Sequence, residues 1–333
     1  MTSTPSAPRL LKPEPLEKRR VLLLKGGWTA EREVSLESGA SIKKALLNLG
    51  HDLEILDPRR DLEHVSNSIL KSFKGQKPEV IVNALHGKDV EDGLIQGVLE
   101  LVGIPYTFSG VLASALAMNK RVARELAAFH NIPIPKGRVL SFNDYAKEGY
   151  TSYPHVIKPP DEGSSVGVSF INTPEEFKKA INAWNFGTEV LVEDYVPGKE
   201  LSVAVFGGTA LGGVDIVFDA PIFSYKEKYR KGFATHIIPP EVPEEVLNRL
   251  YALSEKAHRI FGCRGITRSD FRYNPHAPYG EDIFFLETNT QPGMTPLSLV
   301  PDIAKHAGWS YEDVLTFLLK EALHASSNTQ LCA

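Results

Sequence analysis

The stretch "ITRSDFRYNPHAPYGEDIFFLETNTQPGMTP" (Ile266–Pro296) contains two apolar strand signals, Ile266–Tyr273 and Ile283–Asn289, separated by a Pro/Gly-rich turn. Side chains alternate along a strand, so Arg268 and Asp270 share one face, as do Glu287 and Asn289. If the two strands are neighbours, one surface gathers two carboxylates, an amide oxygen and a guanidinium. Hard oxygen donors in an incomplete set suit Mg²⁺, which completes its octahedron with water and substrate phosphates. The plain alternative is a solvated face with one salt bridge. The exit from the second strand into "TQPGMTP" favours a site rim instead.

Upstream, strands and helices alternate. "VLLLK" (Val21–Lys25), "DLEILD" (Asp52–Asp57) and "EVIVNAL" (Glu79–Leu85) are strand signals, and "GIPYT" (Gly103–Thr107) is a short fourth one. Between them the pattern predicts helices from a Ser35 cap to Gly50, over Leu62–Phe73 and over Leu94–Val102. This is βαβα logic and implies a parallel sheet covered by helices, with ligands beyond the C-terminal strand ends. Those ends carry "LLLKGGWTAEREVSLESG" (Leu22–Gly39) and "HGKDVEDG" (His86–Gly93). The glycine turn lacks G-x-G-x-x-G, and its carboxylates fit an ammonium better than a phosphate.

A second unit follows. It has a helix over Arg121–Phe129, the strand "PHVIKP", the loop "PDEGSSVG" (Pro160–Gly167), the strand "VSFI", a helix over Pro174–Trp184 and the strand "TEVLVEDY". The Gly/Ser loop offers hydroxyls and closely spaced N–H groups that can fold over phosphates. Lys158 stands just before it as a point charge. No G-K-[ST] follows, so the loop is not a Walker A motif. After Pro197–Gly198 a third unit begins with a hairpin, "ELSVAVFGG" and "LGGVDIVF". A Lys/Tyr-rich loop (Tyr225–Gly232), a long helix over Pro243–Phe261, the two late strands and two terminal helices complete it.

These boundaries predict a disordered tail over 1–18 and three lobes: an N-terminal α/β substrate lobe (19–110), a central lobe (111–197) and a C-terminal lobe (198–325). The class is α/β, with α+β character in the later lobes. Charge balance excludes some functions. With 37 Lys and Arg against 41 Asp and Glu there is no basic footprint for nucleic acid. No apolar run is long enough to span a membrane. Cys263 and Cys332 have neither disulfide-framework nor zinc spacing. The expected compartment is the cytoplasm.

Taken in order, "GGWTAEREVSLESG", "ALHGKDVEDG", "EGSSVG", "EKY", "RSDF" and "LETNTQPGMTPLSLVP" resemble the D-alanine–D-alanine ligase family of the ATP-grasp superfamily. The likeness runs from Arg20 to Leu323 without a large gap. It implies the ATP-grasp fold behind an N-terminal parallel-sheet lobe. It also implies ATP as co-substrate, held with a pair of Mg²⁺ ions (or Mn²⁺) between the central and C-terminal lobes, and a homodimer.

By the same resemblance Lys120 and Lys158 contact ATP phosphates, and Glu162, Gly163, Ser164 and Ser165 cover them. Glu193, Asp194, Tyr195 and Val196 meet adenine, and Glu200 meets ribose. Lys228 approaches the transferred phosphoryl group. Asp270, Glu287 and Asn289 fall on the metal positions. Glu31 binds the ammonium of the first D-alanine, with His86 nearby. Tyr229, in the loop that closes over the substrates, pairs with Ser164 and Glu31. Arg268 and the N–H of Gly293 stabilise the oxyanion, and Ser298 with Leu299 receives the second carboxylate. One position departs from the pattern: Val90 stands where glycine is usual before "EDG", which restricts that loop's backbone.

The implied activity joins two D-alanines with ATP through an acyl phosphate, for peptidoglycan precursor synthesis. Its rivals are a D-alanine–D-lactate ligase, another ATP-grasp carboxylate–amine ligase, and a non-enzymatic nucleotide-binding scaffold. Tyr229 favours the dipeptide, because the ester-forming relatives lack that tyrosine. The intact set Lys158, Arg268, Asp270, Glu287 and Asn289 argues against a dead scaffold. Tyr229→Phe is expected to alter the relative use of D-alanine and D-lactate in steady-state kinetics; unchanged constants for both would remove Tyr229 from substrate selection.

Overall fold

Val21–Leu24 points its side chains alternately into two apolar layers, which is why four consecutive aliphatic residues are all buried. Val21 and Leu23 pack with Val80, Val82, Ile42 and Leu46, whereas Leu22 and Leu24 pack with Ile81, Val65, Ile69 and Leu99. The computed structural model describes residues 10–150, 153–163, 165–222 and 234–330.

In it β1 (Arg20–Leu24) lies between β2 (Asp52–Leu56) and β3 (Val80–Asn83), all parallel. The helices α1 (Arg32–Asn48), α2 (Leu62–Lys71) and α3 (Leu94–Val102) complete this unit. "GIPYT" adds only a single parallel bridge, Ile81 to Tyr106, rather than a full strand. The start of α1 also differs from the sequence reading. The helix begins at Arg32, and the Ser35 hydroxyl accepts from the Gly26 N–H at 2.7 Å and donates to the Ala84 carbonyl at 2.6 Å. Ser35 therefore fastens the glycine turn to the end of β3 instead of capping a helix.

Two short helices, α4 (Val111–Met118) and α5 (Lys120–Phe129), lead to the second sheet. It comprises β4 (Gly137–Ser141), β5 (His155–Lys158), β6 (Ser169–Ile171) and β7 (Glu189–Asp194), ordered β4-β7-β5-β6 and wholly antiparallel. Helices α6 (Phe142–Glu148) and α7 (Pro174–Ala183) bring Tyr145, Phe177 and Ile181 against Ile157, Val190 and Val192. The sequence reading did not anticipate β4, α4 or α6.

The third sheet is also antiparallel. Its strands are β8 (Lys199–Phe206), β9 (Thr209–Phe218), β10 (Ala234–Ile237), β11 (Ile266–Tyr273) and β12 (Ile283–Asn289), in the order β10-β9-β8-β11-β12. On one face Leu201, Val203, Val205, Phe271 and Phe285 pack with Leu250 and Phe261 from α8 (Glu244–Ile260) and its end, and with Ala123 and Ala127 of α5. On the other, Ala204, Phe206 and Val214 pack with Val300 and Ile303 of α9 (Leu299–His306) and with Leu315 and Leu318 of α10 (Tyr311–Gln330). That second cluster continues into Val21, Leu23 and Leu46, so the N-terminal unit and the third sheet share one core.

The described part of the N-terminal tail departs from the expectation of disorder. Leu10 and Leu16 pack against this shared core, Lys12 pairs with Asp313 at 3.3 Å and Lys18 with Asp52 at 2.7 Å. Two leucines spaced along a Pro-rich segment suffice to anchor it. Among the described residues no helix is long and apolar enough to cross a membrane.

The turn before β8 is sterically constrained. Gly198 has φ +107°, and a Cβ there would lie 2.2 Å from the Tyr273 carbonyl oxygen. Gly198→Ala is expected to destabilise the protein by roughly 2 kcal/mol or more, from backbone strain plus displacement of the β8–β11 edge. Urea denaturation with an unchanged midpoint would contradict this.

Candidate active site

Register in the third sheet places the chemistry. Asp270 lies opposite Glu287 and Arg268 opposite Asn289 across β11–β12; across β8–β11, Asp270 faces Ser202 and Arg272 faces Glu200. The β11–β12 adjacency required by the sequence argument therefore exists, and one face carries all of these polar groups. Neighbouring strands stand about 4.8 Å apart, so side chains of directly opposed residues meet. Arg268 grips Asp270 with two hydrogen bonds, both 2.8 Å, and the Ser202 hydroxyl donates to the same carboxylate at 2.5 Å. Lys120 Nζ sits 3.6 Å from Glu287 Oε2.

Two clefts open on either side of this polar strip and share Glu200, Asp270 and Glu287 as a common wall. The first, about 810 Å³ including its solvent mouth, is lined by Lys120, Lys158, Glu162, Ser165, Val168, Glu193, Asp194, Tyr195, Val196, Leu286 and Arg272, among others. It is lined from both the second and the third sheets, with aliphatic side chains such as Val156, Val168 and Leu286 beside the two lysines and several carboxylates. The loop over it is compact: the Val166 N–H donates to the Gly163 carbonyl at 2.9 Å, and Ser165 has φ +58°. Lys120 fixes the loop's approach, donating from its ammonium to the Glu162 carbonyl and from its backbone N–H to the Pro160 carbonyl at 2.7 Å. Glu200 is held by Arg272 at 3.4 Å, and Arg272 also donates to the Val196 carbonyl at 3.0 Å and the Gly198 carbonyl at 2.9 Å.

The second cleft brings together Glu31, His86, Arg268, Asn289, Gly293, Ser298 and Leu299. Glu31, only 9% exposed, occupies the N-cap position of α1. A Cβ on Gly87 would come within 3.3 Å of its carboxylate and one on Gly163 within 3.6 Å, so the acid sits where the glycine turn, the His86 loop and the phosphate-type loop converge. His86 is held from both sides, by Ser38 Oγ at 3.2 Å and Glu91 Oε1 at 3.2 Å. Across the cleft, α9 has no side-chain cap from Ser298, whose hydroxyl instead accepts from the Thr295 N–H at 2.9 Å. The first amides of α9, those of Leu299 and Val300, thus lack a cap from Ser298, and Pro301 has no N–H to offer.

Arg32 braces the glycine turn. It pairs with Asp57 through bonds of 2.8 and 2.6 Å and donates to the Gly27 carbonyl at 2.7 Å. That guanidinium, helped by the Gly27 N–H, holds the Asp57 carboxyl below its ordinary range despite burial. The Val90 departure is harmless. The left-handed positions in its loop are Gly87, Asp89 and Gly93, whereas Val90 is fully buried against the cluster of Leu85 and Ile95. A bulky residue there fills a core position.

Of the residues singled out from sequence, all but Ser164, Lys228 and Tyr229 line these clefts or, for Gly163, the small recess beside Lys120, Glu287 and Asn289. Those three lie outside the described residues. Sequence reasoning missed Ser202, Glu91 and Arg272. The signal for Arg272 was available, since it continues the same-face series Arg268, Asp270 in "ITRSDFRY". Ser202 and Glu91 are legible only once strand pairing and loop closure are known. Among the described residues no group of three or more His, Cys, Asp or Glu side chains is placed to hold a metal. The set at Asp270, Glu287 and Asn289 offers two carboxylates and an amide, and the Asn289 oxygen also accepts from the Gln291 N–H at 2.8 Å. This donor set fits a hard cation that brings its remaining ligands with it.

Known proteins are similar to this chain in sequence and in fold. A family profile described as "D-ala D-ala ligase C-terminus" matches residues 140–320. A D-alanine–D-alanine ligase from Xanthobacter autotrophicus is 42% identical over 309 residues, covering 91% of this chain and 98% of that protein. The chain belongs to the D-alanine–D-alanine ligase family. Among solved structures, the D-alanine–D-alanine ligase from Bacillus anthracis complexed with ATP superposes with a TM-score of 0.75 at 26% identity, covering 94% of this chain and 100% of that one. The VanG D-Ala:D-Ser ligase from Enterococcus faecalis gives a TM-score of 0.76 at 27% identity, covering 92% and 100%. The family's ATP-grasp fold is thus the fold of this chain, with the parallel sheet at its N-terminal end.

Ser202→Ala is expected to raise the divalent-cation concentration needed for half-maximal activity by about tenfold, because Asp270 loses a partner that orients it. Cation titrations superimposable on those of the unaltered protein would deny Ser202 that role.

Proposed function

We propose that the chain joins two D-alanine molecules into D-alanyl-D-alanine, converting ATP to ADP and phosphate, and so supplies the dipeptide of peptidoglycan precursors. The observation that carries this reading is the shared wall. A nucleotide-sized slot and a cleft with an acid at one end and uncapped helix amides at the other meet at Asp270 and Glu287. Family membership supports it.

In this reading the nucleoside lies in the first cleft. Adenine contacts Glu193–Val196, ribose meets Glu200, and Lys120 and Lys158 meet the phosphates under the Glu162–Ser165 loop. Glu31 takes the first amino group as an ion pair, with His86 fixed beside it. The first carboxylate attacks the γ-phosphoryl group and forms an acyl phosphate. Positioning and charge neutralisation dominate that step, since a loose phosphoryl-transfer transition state needs little covalent help. Mg²⁺ held by Asp270, Glu287 and Asn289 would supply charge neutralisation on the phosphate oxygens.

The second amino acid rests its carboxylate at Ser298 and Leu299, and its amine attacks the activated carbonyl. Arg268 and the Gly293 N–H stabilise the tetrahedral oxyanion where negative charge develops. Phosphate then leaves. Exclusion of water by the surrounding loops protects the acyl phosphate from hydrolysis. Lys228 and Tyr229 retain the roles that the resemblance gives them, at the phosphoryl group and over the substrates. The reading includes three lobes at 19–110, 111–197 and 198–325 and a cytoplasmic homodimer. The D-alanine–D-lactate alternative is not favoured.

The deciding experiment is ATP-dependent phosphate release across D-alanine, other D-amino acids, D-lactate and L-alanine. Release with D-alanine, D-alanyl-D-alanine as product, and a loss of roughly 100-fold or more in Glu287→Gln with nucleotide binding retained are expected. Nucleotide binding without phosphate release in the presence of D-alanine would overturn the reading, and near-normal turnover in Glu287→Gln would remove the metal assignment.

A further inference from the structure

Arg124 belongs to none of the motifs and touches neither cleft, yet it is one of the few buried cations, 7% exposed. It projects from α5 toward the end of β7. Its Nη1 donates to Glu193 Oε1, while Nη2 donates to the Pro135 carbonyl at 2.9 Å and the Gly137 carbonyl at 3.4 Å. The other oxygen of the same carboxylate, Glu193 Oε2, lies 2.5 Å from Lys158 Nζ. The three side chains are 9%, 4% and 10% exposed, respectively. Two cations therefore share one anion in a poorly solvated place, a net charge of +1 beside the nucleotide slot.

This arrangement bears on what Lys158 can do. The Lys158 ammonium carries three donors, and any shift that turns them toward a phosphate oxygen loosens its hold on Glu193. If Glu193 had no other partner, that movement would strand a buried carboxylate, among the costliest states a protein interior can adopt. Arg124 removes the obstacle. Its planar fork can hold the carboxylate and two backbone carbonyls together, which an ammonium on a single-point stem does less well. The anion stays neutralised whichever way Lys158 points.

We propose that Arg124 is a positioning residue for nucleotide binding, which by keeping Glu193 paired releases Lys158 to the phosphates. The inference rests on the reading of Lys158 as a phosphate ligand. A merely architectural Arg124, tying α5 to the Pro135–Gly137 segment, is the competing account, and the two differ in what rescues its loss. If charge is the point, removing the carboxylate as well makes Arg124 unnecessary. If the carbonyl bonds are the point, removing the carboxylate changes nothing.

The test is calorimetric binding of ADP in the presence of magnesium to the full chain at one fixed salt concentration, with thermal melting of each variant alongside. Arg124→Met is expected to weaken ADP at least about tenfold, the scale on which a buried charge imbalance registers in affinity. Arg124→Lys is expected to stay within about threefold of the unaltered protein, and Arg124→Met placed in a Glu193→Gln background to bind ADP within about threefold of the Glu193→Gln variant alone. Unchanged binding in Arg124→Met, an equal loss in Arg124→Lys, or a loss from Arg124→Met that is as large in the Glu193→Gln background as in the unaltered protein would each overturn the inference. Lys158→Met serves as the separate control. If it binds ADP like the unaltered protein, the phosphate reading of Lys158 fails; if it weakens binding while Arg124→Met does not, the role given to Arg124 fails alone.

Discussion

Everything at the centre of this molecule depends on the register of β11 between β8 and β12. A strand has a period of two, so a slip of one residue would turn Arg268, Asp270 and Arg272 away from the clefts and expose Phe271 in their place. The alternation of Phe271 and Tyr273 with the charged residues prevents the slip, because the aromatic face is committed to the core under α8. The register shift between Asp270 and Phe271 lets the polar end of β12 keep Glu287 opposite Asp270 while the apolar end keeps Phe285 opposite Phe271. The hydrophobic pattern thus aims the polar face without any polar group having to specify it.

Charge in the site is arranged in small neutralising sets rather than as isolated ions. Arg268 with Asp270, Arg272 with Glu200, and Arg124 with Glu193 and Lys158 each hold a carboxylate at short range. Such pairs contribute little to stability once desolvation is counted. Their use is geometric, since each fixes the direction of an oxygen that a cation or hydroxyl must meet. The Lys88 ammonium, held above its ordinary range chiefly by its hydrogen bond to Asp161, shows the same device on the rim, linking the His86 loop to the phosphate-type loop at 2.7 Å.

Much of this was legible in the chain. The continuous apolar run Val21–Leu24 announced a strand buried on both faces, and the spacings Arg268/Asp270 and Glu287/Asn289 announced one polar face. What escaped was of two kinds. Short elements such as β4 and α6 carry no more than five to seven residues of pattern, too few for periodicity to speak. Partners such as Ser202 and Arg124 draw their meaning from contacts 68 and 69 residues away in sequence, and no local pattern encodes those. Ser35 misled for a related reason: a serine at a helix start looks like a cap whether or not a buried glycine turn claims its hydroxyl.

The seam between the N-terminal unit and the turn after β12 has an evolutionary side. Asn83 donates to the Gln291 side chain at 2.8 Å, Gln291 donates back to the Leu85 carbonyl, and the Met294 N–H donates to Ser38 at 3.3 Å, with these side chains buried. The second cleft is therefore closed by segments far apart in the chain, as the 208-residue span of the Asn83–Gln291 bond records. Recombination with a breakpoint between them would deliver one half of the pocket without its counterpart. The nucleotide slot is built from the chain between them, so a breakpoint falling between Lys120 and Glu287 would divide that slot as well.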